Sequence, residues 1–348
     1  MTTVETGSRV IVYALGGTIA MSSTLSGGVA PALSAHDLLA AVPGLAESGV
    51  TVEVQDFRRV PGASLTLSDI SALATAISER LTDVDGAVIT QGTDTIEEAA
   101  YLLDLLHAGP QPIIVTGAMR APTLAGADGP ANILAAILTA ASPHARNQGV
   151  LVVFGDEIHA ARRVRKTHTT SPATFQSPNG GPLGYLVEGR PRLLNRLTHR
   201  TVVPAEPADS IRVAVVPVAL GDDGTTVRLL GDHVDGLVLA GFGAGHVPSD
   251  LVPALETLCA RVPVVLSSRT GGGSVLAATY GFPGSERDLL ARGLISAGYL
   301  DPYKARILLL TLLATGCDHS TIATAFGAAG GIADPGTWPW PTDFSQGN

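Results

Sequence analysis

Short apolar runs alternate with amphipathic stretches through the first half of the chain. Residues 10–14 are apolar and β-rich and end in Gly16-Gly17. A helix is predicted over residues 34–41, with Ser34 as N-cap ahead of Asp37-Leu38-Leu39. Residues 50–54 alternate like a strand. Residues 67–81 carry helical apolar spacing at Ile70, Leu73 and Ile77, with Ser68 as the expected cap. Buried strands follow at 86–90, 113–116 and 149–154, with helices at 95–106 and 129–138 between them. Short apolar strands separated by helices predict a parallel sheet covered on both faces.

Past Ile158 the period fades. Residues 162–192 are polar and rich in Gly, Pro and Thr, with a possible hairpin at Asn179-Gly180. Irregular segments of this length inside compact enzymes often belong to active sites. Residues 190–207 look like a linker. The alternation then restarts, with strands at 213–216, 236–240 and 264–267. Helices are predicted at 249–261, 286–292, 301–315 and 320–326, and the tail from Pro335 as a surface extension. The expected domains are residues 1–195 and 211–348, joined by a linker over 196–210.

Composition narrows the function. The chain has 348 residues, 45% hydrophobic and 15% charged, enough to bury a sizeable core. Its net charge of −9 argues against nucleic-acid or anionic-membrane partners, which need basic surface. No apolar stretch reaches about 18 residues, so no membrane span is expected. The start shows no leader pattern, which makes a cytoplasmic location the expectation. Cys259 and Cys317, each in a predicted helix, define neither a disulfide scaffold nor a zinc site. The nine histidines show no HExxH spacing, so no metal and no organic cofactor is expected.

In an open parallel sheet, ligands bind beyond the carboxyl ends of the strands. The residues there are Gly16-Gly17-Thr18, Thr90-Gln91-Gly92-Thr93-Asp94-Thr95, Thr116-Gly117-Ala118-Met119-Arg120 and Gly155-Asp156-Glu157. All four loops offer small residues or glycines that let a ligand approach the backbone. Gly16-Gly17-Thr18 lacks the third glycine of a dinucleotide fingerprint and the Gly-Lys-Ser/Thr of a P-loop. Thr93-Asp94 opens a helix, where free N–H groups favour an anion, and simple N-capping would use the same residues. Lys166 follows Arg162-Arg163-Val164-Arg165. Such a run reads either as a solvated face or as a lysine whose pKa is lowered until it can serve a threonine as base.

These segments resemble the bacterial L-asparaginase/glutaminase family. The matching stretches are Gly16-Gly17-Thr18-Ile19-Ala20, Thr90-Gln91-Gly92-Thr93-Asp94-Thr95, Thr116-Gly117-Ala118-Met119-Arg120 and Ala127-Asp128-Gly129-Pro130. Lys166-Thr167, Ser267-Ser268-Arg269 and Pro302-Tyr303-Lys304-Ala305-Arg306 complete the set, in family order. The resemblance implies a larger N-terminal domain with a parallel, flavodoxin-like sheet and a smaller C-terminal Rossmann-like α/β domain. It implies hydrolysis of L-asparagine, a small-molecule substrate, and a homo-oligomer, usually a tetramer of intimate dimers. Thr18 would be the nucleophile. Thr93, Lys166 and Asp94 would form a second hydroxyl–lysine–carboxylate group, Asp94 also holding the substrate's α-amino group. The backbone N–H of Thr93 would help stabilise the oxyanion, and Gly92 would line the same pocket. Ala118 would lie beside the leaving amide.

Three positions depart from the family pattern. Residues 21–32 contain no tyrosine, which the family places on this loop near Gly28. The serine that holds the substrate carboxylate falls at Gly62, Ala63 or Ser64, depending on register. The family's neighbouring-subunit asparagine is replaced near His246, which is either a plain loop histidine or an altered substrate contact.

Overall fold

The structure, a computed structural model, describes residues 7–17, 21–23, 29–31 and 35–341. The chain divides into two compact units whose boundary falls between Arg200 and Thr201.

Strands of the first unit are β1 (Arg9–Ala14), β2 (Met21–Ser23), β3 (Val29–Pro31), β4 (Thr51–Asp56), β5 (Gly86–Thr90) and β6 (Ile113–Thr116). They continue with β7 (Val150–Phe154), β8 (Glu157–Ala160), β9 (Arg165–Lys166), β10 (Phe175–Gln176), β11 (Gly184–Val187) and β12 (Arg190–Leu193). Its helices are α1 (Ala35–Ala40), α2 (Leu67–Arg80), α3 (Ile96–Leu106) and α4 (Gly129–Ala140). The main sheet has the order β12-β11-β8-β7-β6-β5-β1-β4. Strands β4, β1, β5, β6 and β7 run parallel, which is the flavodoxin-like order with the chain reversing its progress between β1 and β5. Strands β5, β6 and β7 are buried along their whole length, which is why each reads as an apolar run, closed by Thr90 in β5 and Thr116 in β6. Helix α4 covers one face with Ile133, Ala136 and Ile137 against Val88, Ile114 and Leu151. Each buried Val, Leu or Ile side chain contributes about 2 kcal/mol by leaving water, and an alanine methyl less.

The segment read as irregular carries strands after all. Gly155 and Asp156 both have positive φ, 57° and 63°, and turn β7 back into antiparallel β8. Glu188 and Gly189, at 51° and 69°, do the same between β11 and β12. The sheet is therefore mixed at this edge. The expected hairpin at Asn179-Gly180 is absent, because β10 pairs with β9 while β11 pairs with β8 and β12. The first four residues of the expected linker, 190–193, are β12.

Helix α2 is capped by Thr66 rather than Ser68. Thr66 Oγ1 accepts from the Asp69 N–H and the Asp69 carboxylate accepts from the Thr66 N–H, a reciprocal capping box. The expected cap Ser34 lies outside the described residues.

The second unit holds β13 (Val213–Pro217), β14 (Gly236–Gly241), β15 (Val264–Ser268) and β16 (Ile295–Ser296) in sequential parallel order. Its helices are α5 (Thr225–Leu230), α6 (Val252–Cys259), α7 (Glu286–Ala291), α8 (Pro302–Ala314) and α9 (His319–Ala329). Cys259 ends α6, but Cys317 lies in the connection between α8 and α9 instead of a helix, and both thiols are free. Trp338 is buried and its indole N–H donates to the Val202 carbonyl at 3.1 Å, so this part of the tail packs instead of extending over the surface. No helix among the described residues is long and apolar enough to cross a membrane.

Candidate active site

The loops after β1, β4 and β5 meet backbone to backbone at the switch point. Gly17 has φ 88°, and a Cβ there would overlap the backbone of Gly92. A Cβ on Gly92 would in turn stand 2.8 Å from the nitrogen of Gly62. Thr95 Oγ1 donates to the Gly62 carbonyl at 3.0 Å and ties these last two loops together. Ala118 is buried in the loop after β6. That loop is held by Asp128, whose carboxylate accepts from the Met119 and Arg120 N–H groups at 3.0 and 2.9 Å. Asn132, one turn into α4, donates to the Gly117 carbonyl and accepts from the Gly155 N–H, fastening the loops after β6 and β7 to each other.

On this frame sits a hydroxyl–lysine–carboxylate group. Thr93 and Asp94 form a 3-10 turn that continues into α3, with Thr93 buried and the Asp94 side chain 65% exposed. Lys166 arrives from β9, and its Nζ donates to Thr93 Oγ1 at 2.9 Å and to Asp94 Oδ1 at 2.7 Å. Its backbone N–H donates to Glu97 Oε2 at 3.2 Å, and its strand partner is Phe175, whose ring packs on Phe154 at 4.8 Å. An open cleft of about 370 Å³ borders the group, lined by Asp94, Lys166, Thr167, His168 and Thr169. The donor set suits a zwitterionic ligand, with Asp94 for a cationic group and hydroxyls and ammonium for a carbonyl or carboxylate.

Of the candidate residues, Thr93, Asp94 and Lys166 are in direct contact, and Gly92 and Gly62 touch one turn away. Ala63 and Ser64 are exposed and complete the 3-10 turn that begins at Gly62. Thr18, the expected nucleophile, and Gly28 lie outside the described residues. Tyr13 is buried in β1 with its hydroxyl donating to the Ala76 carbonyl, which commits it to the core. His246 belongs to the second unit, where Nε2 meets Glu286 Oε2 at 3.0 Å and the ring stacks edge-on against Tyr280 and Phe282. It lies in the loop after β14 and is held by neighbours within its own unit. The basic run before Lys166 is not one solvated face: Val164 is buried and Arg162 donates to the His199 carbonyl at 2.8 Å.

Two residues were not singled out from the sequence. Glu97 lies four positions after Thr93, on the helix face that meets Lys166, and that spacing was the available signal. His168 borders the cleft, but its bonds depend on a turn that sequence period does not reveal.

Comparison with known proteins agrees with this frame. Residues 9–199 match the family described as Asparaginase, N-terminal, and residues 212–326 match the Glutaminase/Asparaginase C-terminal domain. An L-asparaginase of Bacillus licheniformis is 35% identical, over 88% of this chain and 96% of that protein. L-asparaginase 2 of Escherichia coli K12 is 34% identical, over 91% and 92%. A glutaminase-asparaginase of Pseudomonas fluorescens is 32% identical, over 92% and 90%. The crystal structure of a probable cytoplasmic L-asparaginase from Campylobacter jejuni superposes with a TM-score of 0.81 at 32% identity, covering 92% of this chain and 99% of that one. The fold and these matches define a hydrolase acting on amide carbon–nitrogen bonds. The chain belongs to the asparaginase family.

Proposed function

We propose that this chain hydrolyses L-asparagine to L-aspartate and ammonia through a threonine acyl-enzyme. The carrying observation is the Thr93–Lys166–Asp94 group at the carboxyl ends of the central strands. In this reading Thr18 Oγ attacks the side-chain carboxamide carbon and gives up its proton. The carbon–nitrogen bond breaks, and ammonia leaves with that proton. Water activated by Thr93 and Lys166 then cleaves the ester, releasing aspartate and restoring the hydroxyl. Asp94 binds the α-amino group, and the Thr93 N–H faces the oxyanion. The turn 62–64 takes the α-carboxylate through its backbone and Ser64, and Ala118 lies beside the leaving amide. The mechanism calls on no metal or organic cofactor.

Glutamine is the second substrate to weigh, because relatives of similar identity are glutaminase-asparaginases. The reading extends to a homo-oligomer, dimer or tetramer. It extends also to a cytoplasmic location, in line with the probable cytoplasmic L-asparaginase of Campylobacter jejuni.

Ammonia release measured over asparagine, glutamine and simple amides tests the substrate. Thr18→Ala and Lys166→Met should each lower kcat by about a thousandfold or more, with the double variant little worse than either single, since both act as one unit. Near-normal turnover in Thr18→Ala would remove the nucleophile assignment.

A further inference from the structure

Lys166 stands on a two-residue strand. Strand β9 has one partner of the same length, β10, and so short a ladder is weak by itself. What closes it is the turn of residues 167–174. The Thr167 N–H and hydroxyl both donate to the Thr174 carbonyl, at 2.8 and 2.9 Å. Thr174 Oγ1 accepts from the His168 N–H and donates to the His168 carbonyl. Inside the turn, His168 Nδ1 accepts from the backbone N–H groups of Thr170 and Ser171, both at 3.0 Å. An atom that accepts two N–H bonds carries no proton, so the ring holds its proton on Nε2.

Nδ1 of histidine is bonded to Cγ, as is Oδ1 of asparagine or aspartate. His168 therefore closes its turn as an Asx side chain does, through an acceptor one bond beyond Cγ and aimed at the N–H groups two and three residues on. We infer that His168 is a positioning residue. By pinning the 167–174 turn through Nδ1, it holds β9 in the register that sets the Lys166 ammonium between Thr93 and Asp94. This rests on the assignment of Lys166 to the amidase centre, and it names what keeps that lysine in place. A displacement of about 1 Å at a reacting group can cost on the order of a hundredfold in rate, so slack in this turn reaches the chemistry.

The test compares side chains by the position of their acceptor. His168→Phe keeps the ring and loses the acceptor. His168→Asn keeps an acceptor on Cγ and loses the ring. His168→Gln moves the acceptor one carbon outward. Steady-state ammonia release from L-asparagine should show kcat down at least about tenfold in His168→Phe and His168→Gln, with KM changed less than about threefold. His168→Asn should return kcat to within about threefold of the parent. Amide hydrogen exchange at Thr170 and Ser171 reads the same bonds without activity. Both amides should lose protection in His168→Phe and keep it in His168→Asn. Unchanged kcat in His168→Phe overturns the inference, and so does an Asn variant that keeps protection but is as slow as Phe, since the ring itself would then be needed. If the parent enzyme releases no ammonia from any amide, the proposed function fails by that result alone. The exchange pattern still decides whether His168 pins the turn.

Discussion

Two lysine–aspartate pairs of nearly equal length sit in the two units of this chain, in opposite surroundings. Lys166 meets Asp94 at 2.7 Å across 72 positions of sequence, and the Asp94 side chain is 65% exposed. Lys304 meets Asp301 at 2.9 Å within one turn of α8, with Lys304 fully buried and Asp301 9% exposed. The Asp301 carboxylate also accepts from the Tyr303 and Lys304 N–H groups, so it caps the helix as well as pairing the lysine. An ion pair with an exposed partner stabilises a fold by about 0–1 kcal/mol. Removing one partner of a buried pair costs about 3–5 kcal/mol. Distance alone therefore says nothing of purpose. Solvent access does, together with the Thr93 hydroxyl that Lys166 also engages and that gives the outer pair something to do besides hold.

The sharpest way to break this contrast is to remove each lysine in turn. Lys166→Met should lose about a thousandfold in kcat with its unfolding midpoint nearly unchanged. Lys304→Met should do the reverse, losing about 3–5 kcal/mol of stability while the molecules that remain folded keep their turnover. Denaturant unfolding and active-fraction kinetics on both variants decide it. Equal stability losses would mean that the outer pair, too, is structural.

Acid should separate the two units. His107, His159 and His199, all in the first unit, are each held down to about 4. Burial is the main cause in all three, reinforced by Arg200 beside His107 and by Arg162 and Arg163 beside His199. Their ordinary value is about 6.5, so between pH 6.5 and 4 the unfolded chain binds protons that the folded chain refuses. Stability is complete above about pH 6.5 and falls as pH drops through that window. The loss for the two well-buried rings, His107 and His159, is about 3 kcal/mol each by pH 4. Both tryptophans, Trp338 and Trp340, lie in the second unit. Hydrogen exchange at Val88 and Ile114 should therefore report opening at a higher pH than tryptophan fluorescence does. His159→Gln should flatten the stability slope, and an unaltered slope would remove His159 as a contributor.

The same division between buried and exposed explains what could be read in the sequence. The central strands were legible because each carries an unbroken apolar run, as residues 87–89 and 150–154 do, and a sheet covered on both faces needs that. The edge was not. Strands β11 and β12 alternate buried and exposed residues over four positions, include Gly184 and Pro191, and leave Tyr185 and Val187 outside, so no period accumulates. Helix α2 was found but its cap was misplaced by two residues, because Thr66 and Ser68 are both hydroxyls and the Asp69 side chain chooses between them. At the candidate site, Thr93 and Asp94 could be placed because they immediately follow a legible strand. Lys166 stands on a strand too short to predict; the basic run leaves it either on a solvated face or as a base, and the family resemblance decides between the two. Glu97 and His168 act through backbone N–H groups, and such bonds leave little trace in residue type.

The smallest expected effect concerns a feature that neither lysine pair supplies, a side chain to close over the substrate. Residues 21–32 hold four Ser or Thr, two glycines and no aromatic ring, and the resemblance puts the family's tyrosine near Gly28. Thr93, Asp94 and Lys166 are already in contact without it, so the missing ring should weaken the hold on substrate rather than abolish turnover. A single added contact of about 0.5–1.5 kcal/mol in substrate binding corresponds to roughly a 2–10-fold change in affinity. Gly28→Tyr should therefore lower KM for asparagine by that factor and leave kcat within about twofold. Glycine can hold a positive φ that tyrosine resists, so Val29→Tyr is measured beside it. The Lys166→Met background sharpens the comparison, because a tyrosine that improves binding there without restoring turnover acts as a lid and not as a base. A parent enzyme that already saturates at micromolar asparagine with fast turnover would sink the idea, for the ring's work would then be done by another residue.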